Sequence, residues 1–166
     1  LSIFKNINDY SKKIVEEKDF IFLISLMIID DTDNSEYFMY KYNISNEDKK
    51  RIKFLSNVYS RSSDKNIFKK KNLWKIFYYN GKDNLNDLIN FQIFQNKKLD
   101  KNLIDLKNFF SNQEVPKIEV KAKTLIEKFN YKEGKELGNK LKEIEEFWIE
   151  NSFKISDKEL NKIVKS

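Results

Sequence analysis

Closely spaced acidic side chains are the first candidates for chemistry in this chain. Asp30, Asp31 and Asp33 follow a hydrophobic run. Their D-x-D spacing suits a two-metal nucleotidyl-transfer site, in which carboxylates reach ions about 3.5–4 Å apart. Aspartates at this position are also typical of a helix start, where a carboxylate caps free backbone N–H groups. Because no strand is predicted beside them to supply a third carboxylate, we interpret them as caps.

Missing residue types exclude much catalytic chemistry. The 166 residues include no cysteine and no histidine, which removes disulfides, thiol nucleophiles and every Ser-His-Asp or Cys-His scheme. The longest apolar run, Phe20 to Ile29, is about half of what a membrane helix needs, and no signal peptide is recognisable. The sequence therefore predicts a cytoplasmic protein with no membrane association and no metal or cofactor of its own.

Basic residues are concentrated between Ser45 and Asp83. This segment contains eleven basic and four acidic residues, a net charge of +7, although the whole chain carries only +6. Such a zone suits a polyanionic partner, and a solvated lysine-rich face is the alternative. Trp74, Tyr78 and Tyr79 lie among its lysines and offer ring faces for stacking on bases.

Two apolar segments precede the basic zone. The run from Phe20 to Ile29 has no predicted strand partner, so we interpret it as a fully buried helix. The four rings of Tyr37, Phe38, Tyr40 and Tyr42 fall in a short predicted helix. We expect most of them in the core, with one or two hydroxyl groups at the surface.

Helical periodicity runs through nearly the whole chain. Apolar residues repeat at i, i+4, i+7 and i+11 in two stretches, Leu99-Leu103-Leu106-Phe110 and Leu137-Leu141-Ile144-Trp148. Three glycines and one proline are few interruptions for a helical protein. The predicted helices lie near residues 3–15, 18–29, 35–43, 46–60, 64–80, 84–96, 99–112, 121–129, 134–151 and 157–165.

Local signals place several of these helix ends. Ser45 with Asp48, and Ser156 with Glu159, have the capping-box spacing, and Gly81 suits a helix end that needs positive φ. Pro116 disfavours helix in the residue before it and marks a boundary. The predicted fold is therefore all-α, with an irregular multi-helix body at residues 1–112 and a small helical tail at residues 113–166.

The last fifty residues carry a family pattern. They contain Pro116-Lys117-Ile118, Ala122-Lys123-Thr124-Leu125-Ile126, Gly134-Lys135-Glu136-Leu137-Gly138, the leucine-rich run from Leu141 to Ile149 with its tryptophan, and Phe153. This order resembles the tail of bacterial class II CCA-adding enzymes, the tRNA nucleotidyltransferase and poly(A) polymerase family. Two earlier segments, Asp19 to Leu23 and Tyr42 to Glu47, resemble the helical body of the same family.

Some residues depart from the family pattern. Ala122 and Phe129 stand where the family often has glycine, and Lys123 or Thr124 replaces an expected aspartate. The stretch from Glu47 to Arg51 has the form E-D-x-x-R, which in the family templates the incoming nucleotide. The continuing L-R-A-x-R-F pattern is missing, so we interpret this stretch as an acidic first turn that complements the helix dipole.

The resemblance implies a role in holding tRNA. It implies that this chain is the C-terminal portion of such an enzyme, not catalytic alone. The N-terminal catalytic head of the same polypeptide, with its Mg²⁺ and CTP or ATP, is missing from it. The implied partners are tRNA and that head. The candidate RNA-binding residues are Lys49, Lys50, Arg51, Lys69, Lys70, Lys71, Lys121, Lys123, Lys132, Gly134, Lys135 and Gly138. The alternative is a helical protein–protein interaction module without RNA binding.

Overall fold

Two helical units make up the chain in the computed structural model, which describes residue 4 and residues 7–60, 66–96 and 98–165. The first unit is Leu1–Val115 and the second is Pro116–Ser166. The division lies three residues beyond the boundary predicted from Pro116. No strand occurs in the part of the chain that the structure describes, which confirms the predicted all-α class.

Six helices form the first unit and three form the second, within those same residues. The first six are α1 Asp9–Glu17, α2 Phe20–Ile28, α3 Asn34–Lys41, α4 Asn46–Tyr59, α5 Lys70–Gln95 and α6 Lys101–Ser111. The last three are α7 Ala122–Phe129, α8 Lys135–Glu150 and α9 Asp157–Lys165. None of the described helices is long and apolar enough to cross a membrane.

The predicted helix caps at two serines are confirmed. The Asp48 amide donates to Ser45 Oγ (3.0 Å) at the start of α4. At the start of α9 the Ser156 amide donates to Glu159 Oε2 (2.8 Å) and the Glu159 amide to Ser156 Oγ (3.3 Å). Both arrangements satisfy N–H groups that have no partner inside the helix.

Helix α1 begins at Asp9, because the Asn8 side chain accepts the Ser11 amide hydrogen (2.9 Å) and caps the helix there. Residue 3, where this helix was predicted to begin, lies outside the described residues, and residues 7 and 8 are not helical. Residues 61–65, where another helix was predicted to begin, lie outside the described residues, and α5 begins at Lys70.

Gly81 divides α5 into the two predicted helical segments. Its φ of 79° and ψ of 177° are not helical, so the direction of the chain changes between Asn80 and Lys82. Residues with a Cβ rarely adopt this conformation, which explains why the break falls on a glycine. The predicted helix end at Gly81 is confirmed.

The core of the first unit forms around the two segments of α5. Six of its described apolar side chains are fully excluded from solvent: Phe22, Ile52, Leu55, Leu73, Phe77 and Ile89. Aromatic rings meet edge to face beside this core, with Trp74 5.6 Å from Phe77 and 5.1 Å from Phe110 between ring centroids. The predicted stripe on α6 is confirmed at Leu103 and Phe110, whereas Leu99 precedes the helix and is exposed.

Helix α2 is only partly buried, which corrects the prediction of a fully buried helix. Phe22 and Leu26 are buried, whereas Phe20 is 67% and Met27 44% exposed. The helix packs against α3, α4 and α5. Side chains on the side of α2 that faces away from these helices remain in solvent, whatever their hydropathy. In an all-apolar helix no polar positions mark that side, so periodicity cannot predict which residues are buried.

The second unit has its own small core. Leu125, Leu137, Ile144, Leu160 and Val164 are buried together. The predicted stripe on α8 is confirmed, with Leu141 half-buried and the other three members buried. The Trp148 ring meets Phe153 edge to face at 4.9 Å, closing the end of α8. This core fixes which side of α8 faces solvent.

Candidate nucleic-acid interface

Helix α4 brings the first group of predicted site residues to the surface of the first unit. Ser45 caps the helix, so Lys49 and Lys50 lie within its first two turns. Lys50 is exposed and Lys49 is half-buried. Both are cations near the positive end of the helix dipole, where anions such as phosphates are favoured. They suit contact with a polyanion.

Arg51 lies in an ion-pair network inside the first unit. Its Nε is 2.6 Å from Asp87 Oδ2, and its Nη1 is 2.6 Å from Asp19 Oδ2. Lys18 Nζ completes the network, 2.8 Å from Asp87 Oδ1. The guanidinium thus has two carboxylate partners, and we omit Arg51 from the RNA surface that we propose. Asp87 is 36 residues away in sequence, so the pairing has no local sequence signal.

The network also shifts the ionisation of Asp19. Partial burial acts to raise the pKa of Asp19, but hydrogen bonds from the Arg51 guanidinium and the Phe22 amide outweigh it and hold that pKa below its usual value. Asp19 therefore remains a carboxylate at neutral pH. Asp19 caps α2 and also binds Arg51 of α4, so it links these two helices.

The start of α5 carries the second lysine group. Lys69, Lys70 and Lys71 are all exposed. Lys70 Nζ lies 3.4 Å from the centroid of the Phe109 ring on α6, a cation–π contact between the ammonium and the ring face. These three cations precede the aromatic cluster, in which Trp74 packs against Phe77 and Phe110 as part of the core.

Tyrosines of α3 are exposed, and the prediction that most of its rings are core is wrong. Tyr37, Tyr40 and Tyr42 are 57%, 90% and 49% exposed. The helix buries Ser35 and Met39 instead, which are four residues apart and share one face. Tyr37 and Tyr40 lie two and five residues after Ser35, on the other side of the helix, whereas Tyr42 follows its last residue.

The interpretation of the aspartates at 30, 31 and 33 as helix caps is wrong for Asp33, which precedes α3 but makes no side-chain cap hydrogen bond. Asp30 instead stabilises a local turn. Asp30 Oδ1 accepts hydrogen bonds from the Thr32 amide (2.9 Å) and Thr32 Oγ1 (2.5 Å), and Asn34 Nδ2 donates to Oδ2 (2.9 Å). The Thr32 and Asn34 hydrogen bonds lower the pKa of Asp30. In the part of the chain described, no group of three or more acidic side chains is arranged to hold a metal ion.

The loop between α7 and α8 gathers the remaining predicted site residues in the second unit. Asn130 ends α7 with a left-handed backbone, φ 58° and ψ 28°. Lys132 and Lys135 are exposed on either side of Gly134, which precedes α8. Lys121 precedes α7 and Lys123 lies in its first turn, where Lys123 Nζ is 3.6 Å from Glu127 Oε1 in an exposed pair worth little to stability.

Gly134 and Gly138 leave one face of α8 open at its first turns. Gly134 has a φ of 148°, a conformation that side chains with a Cβ rarely adopt, and it offers no side-chain cap to the helix. Gly138 is helical, and no atom lies within 4 Å of where a Cβ would stand at either glycine. Packing in the second unit therefore does not require glycine at position 138.

Gly138→Ala is expected to raise the free energy of unfolding by about 0.5–1 kcal/mol, because alanine lowers the backbone entropy of the unfolded chain and meets no neighbour. Urea unfolding followed by Trp148 fluorescence in a Trp74→Phe background reports on the second unit alone. A fall in stability would show that the fold itself needs this glycine.

Apart from the ion-paired Arg51, the predicted residues are exposed or half-buried, five of them in the first unit and six in the second. The α4–α5 surface consists of Lys49, Lys50, Lys69, Lys70 and Lys71. The α7–α8 surface consists of Lys121, Lys123, Lys132, Gly134, Lys135 and Gly138. No protein-family model, curated protein sequence or solved structure matches this chain.

Proposed function

We propose that this chain is the tRNA-holding body and tail of a tRNA nucleotidyltransferase, either a CCA-adding enzyme or a poly(A) polymerase. It holds the elbow and acceptor arm while a catalytic head extends the 3′ end. The observation that carries the proposal is the open, lysine-flanked start of α8, where Gly134 and Gly138 face solvent with no covering atoms. The same segment carries the family resemblance.

The chemistry of the α8 start supports phosphate binding. Gly134 provides no capping side chain, so N–H groups of the first turn point outward without a side-chain acceptor. The helix dipole adds positive potential there, and Lys132 and Lys135 flank the site. Glu136 in that turn and Glu133 beside Gly134 are exposed acidic residues that offset the charge of the two lysines, so the helix dipole supplies the remaining positive potential. A sugar-phosphate backbone can approach closely where there is no Cβ.

The α4–α5 surface supports a second contact with the same ligand. Its lysines are exposed or half-buried and lie in the zone of highest positive charge. Contacts of this kind position a nucleic acid without reading its sequence. They suit a partner that is recognised by its folded shape, as structured RNA usually is.

The proposal assigns nucleotide addition to the head domain and not to this chain. In such an enzyme the head supplies the catalytic carboxylates, binds Mg²⁺ and selects CTP or ATP. The lysines of this chain would neutralise phosphates at a distance from the reaction and fix the position of the tRNA. Restricting the motion of one reactant in this way contributes to the rate without any contact to reacting atoms.

Charge reversal at the α8 start tests the proposal. The double variant Lys132→Glu and Lys135→Glu is expected to weaken tRNA binding by at least about ten-fold at low salt, because each lost phosphate contact removes counterion release. Lys158→Glu with Lys162→Glu is the matched control, since it changes the net charge equally on exposed residues of α9 in the same unit. The measurement is fluorescence anisotropy of labelled tRNA.

Two further measurements complete this test of the α8 start. Circular dichroism should be the same for both double variants, because all four lysines are exposed. Equal loss of affinity in both variants would mean that total charge, and not the α8 start, governs binding.

The neutral variant Gly138→Gln should fold and yet bind tRNA less tightly, because its side chain fills the open face beside the lysines.

One observation favours a protein partner as the second candidate function. Phe20 and Met27, seven residues apart on one side of α2, are exposed and apolar. A helical interaction module would use this side to bind another protein. Sedimentation analysis separates the two candidates. The module would be favoured if the chain self-associates in a concentration-dependent way, if Phe20→Ser abolishes that association, and if the chain does not bind tRNA.

A further inference from the structure

Helix α3 presents an unusual density of aromatic surface. Tyr37, Tyr40 and Tyr42 lie within six residues and are 57%, 90% and 49% exposed. Single exposed aromatic rings are ordinary on protein surfaces, whereas a group of three marks a contact site. Tyr40 has the most solvent-exposed ring of the three and contributes little to the core of the first unit. We call these three residues the tyrosine platform.

Two rings of the platform, Tyr37 and Tyr42, have neighbours that limit their motion, whereas Tyr40 extends into solvent. Lys41 Nζ lies 5.4 Å from the Tyr37 ring centroid and 5.7 Å from that of Tyr42. The Phe38 and Tyr42 rings pack against each other with centroids 4.9 Å apart. Ordered rings lose little entropy when a flat ligand stacks on them, which favours binding.

Charge around the platform is unevenly distributed. Glu36 lies in the first turn of α3, whereas Lys41 lies in its last turn. Ser45, which caps α4, follows Tyr42 by three residues, so Lys49 and Lys50 lie within the next turns of the chain. Lys41 therefore brings positive charge to the Tyr37 and Tyr42 rings, so the platform combines ring faces with a cation.

We propose that the tyrosine platform binds a single-stranded segment of RNA. Unpaired bases stack on Tyr40 and its neighbours, and phosphates contact Lys41, Lys49 and Lys50. Stacking on aromatic rings beside a basic surface is how proteins bind single strands without sequence preference. The inference rests on the proposed function in that RNA is the ligand, and it adds the tyrosines of α3 to a surface whose Lys49 and Lys50 the proposed tRNA contact also uses.

The test uses a fluorescently labelled eight-nucleotide oligoadenylate, which has no folded elbow. Tyr40→Ala is expected to weaken its binding about 5- to 150-fold, the range for loss of one stacked base. Tyr40→Phe should bind like the wild type, because the ring remains. Tyr40→Leu should bind as weakly as the alanine variant, because it keeps apolar bulk without an aromatic face. Glu36→Gln should tighten binding by removing a repulsive charge.

Several results would overturn the inference. One is that the wild-type protein does not bind the oligonucleotide at low salt. Another is that Tyr40→Ala binds it with the same affinity as the wild type. If Tyr40→Leu retains wild-type affinity, the platform is an apolar contact for protein and not a base-stacking surface. Tyr40 is 90% exposed, so none of these variants is expected to unfold the chain.

A cross-comparison separates this inference from the proposed function. The Lys132→Glu and Lys135→Glu variant should bind the oligonucleotide like the wild type, because those lysines belong to the second unit. Oligonucleotide binding without tRNA-elbow recognition would refute the proposed function and keep the platform. Elbow recognition without oligonucleotide binding would refute the platform alone.

Discussion

Asp87→Ala is expected to lower the free energy of unfolding of the first unit by at most about 3 kcal/mol, because the half-buried Lys18 loses its carboxylate partner while the half-buried Arg51 keeps only Asp19. Asp87 is 2% exposed and accepts hydrogen bonds from Arg51 Nε (2.6 Å) and Lys18 Nζ (2.8 Å). These bonds join the end of α1, the middle of α4 and the second half of α5. The loss is a large share of the about 5–15 kcal/mol that stabilises a typical domain.

Urea unfolding in a Trp148→Phe background measures this effect, because Trp74 then reports on the first unit alone. Asp9→Asn is the control: Asp9 is a fully exposed carboxylate paired with Lys12, and its loss should leave the midpoint unchanged. Replacing Asp87, Arg51 and Lys18 together with apolar side chains of similar size should recover most of the lost stability. If the urea midpoint of Asp87→Ala equals that of the wild type, the ion-pair network does not stabilise the first unit.

Binding to tRNA is expected to fall about 100- to 2,000-fold between roughly 50 mM and 200 mM monovalent salt. This range corresponds to about four to six neutralised phosphates, each of which contributes about −0.9 to the slope of log affinity against log salt concentration. The count assumes that each basic surface supplies two or three lysines. Anisotropy titrations at five salt concentrations give the slope.

The Lys132→Glu and Lys135→Glu variant should reduce the magnitude of that slope by about 2, one for each phosphate contact removed. The Lys158→Glu and Lys162→Glu control should leave it close to the wild-type value. A slope near zero would show that lysines do not carry the binding, whatever its affinity.

Local features of this fold follow from sequence, because they depend on residues within one or two turns. The serine caps of α4 and α9, the helix break at Gly81 and the buried stripe of α8 were each predictable in this way. The lysine groups of both surfaces are likewise exposed or half-buried, as their placement opposite apolar stripes suggests.

Features that depend on distant residues did not follow from sequence. The sequence predicts Arg51 to be a surface cation, because its partner Asp87 is 36 residues away and on another helix. The apolar composition of α2 predicts burial, but Phe20 lies on a side that no described helix covers. The tyrosines of α3 are outside the core because Ser35 and Met39 take the buried positions, a choice that tertiary packing makes.

The central claim is recognition of folded tRNA, and the most direct test compares two RNAs. Labelled tRNA and an unstructured RNA of equal length are titrated with the chain at about 50 mM and 150 mM salt. We expect tighter binding of folded tRNA at both salt concentrations, with the advantage lost when mutations open the elbow. Changing the tRNA species should matter less. Equal affinity for the two RNAs, or no binding at the lower salt concentration, would contradict the account.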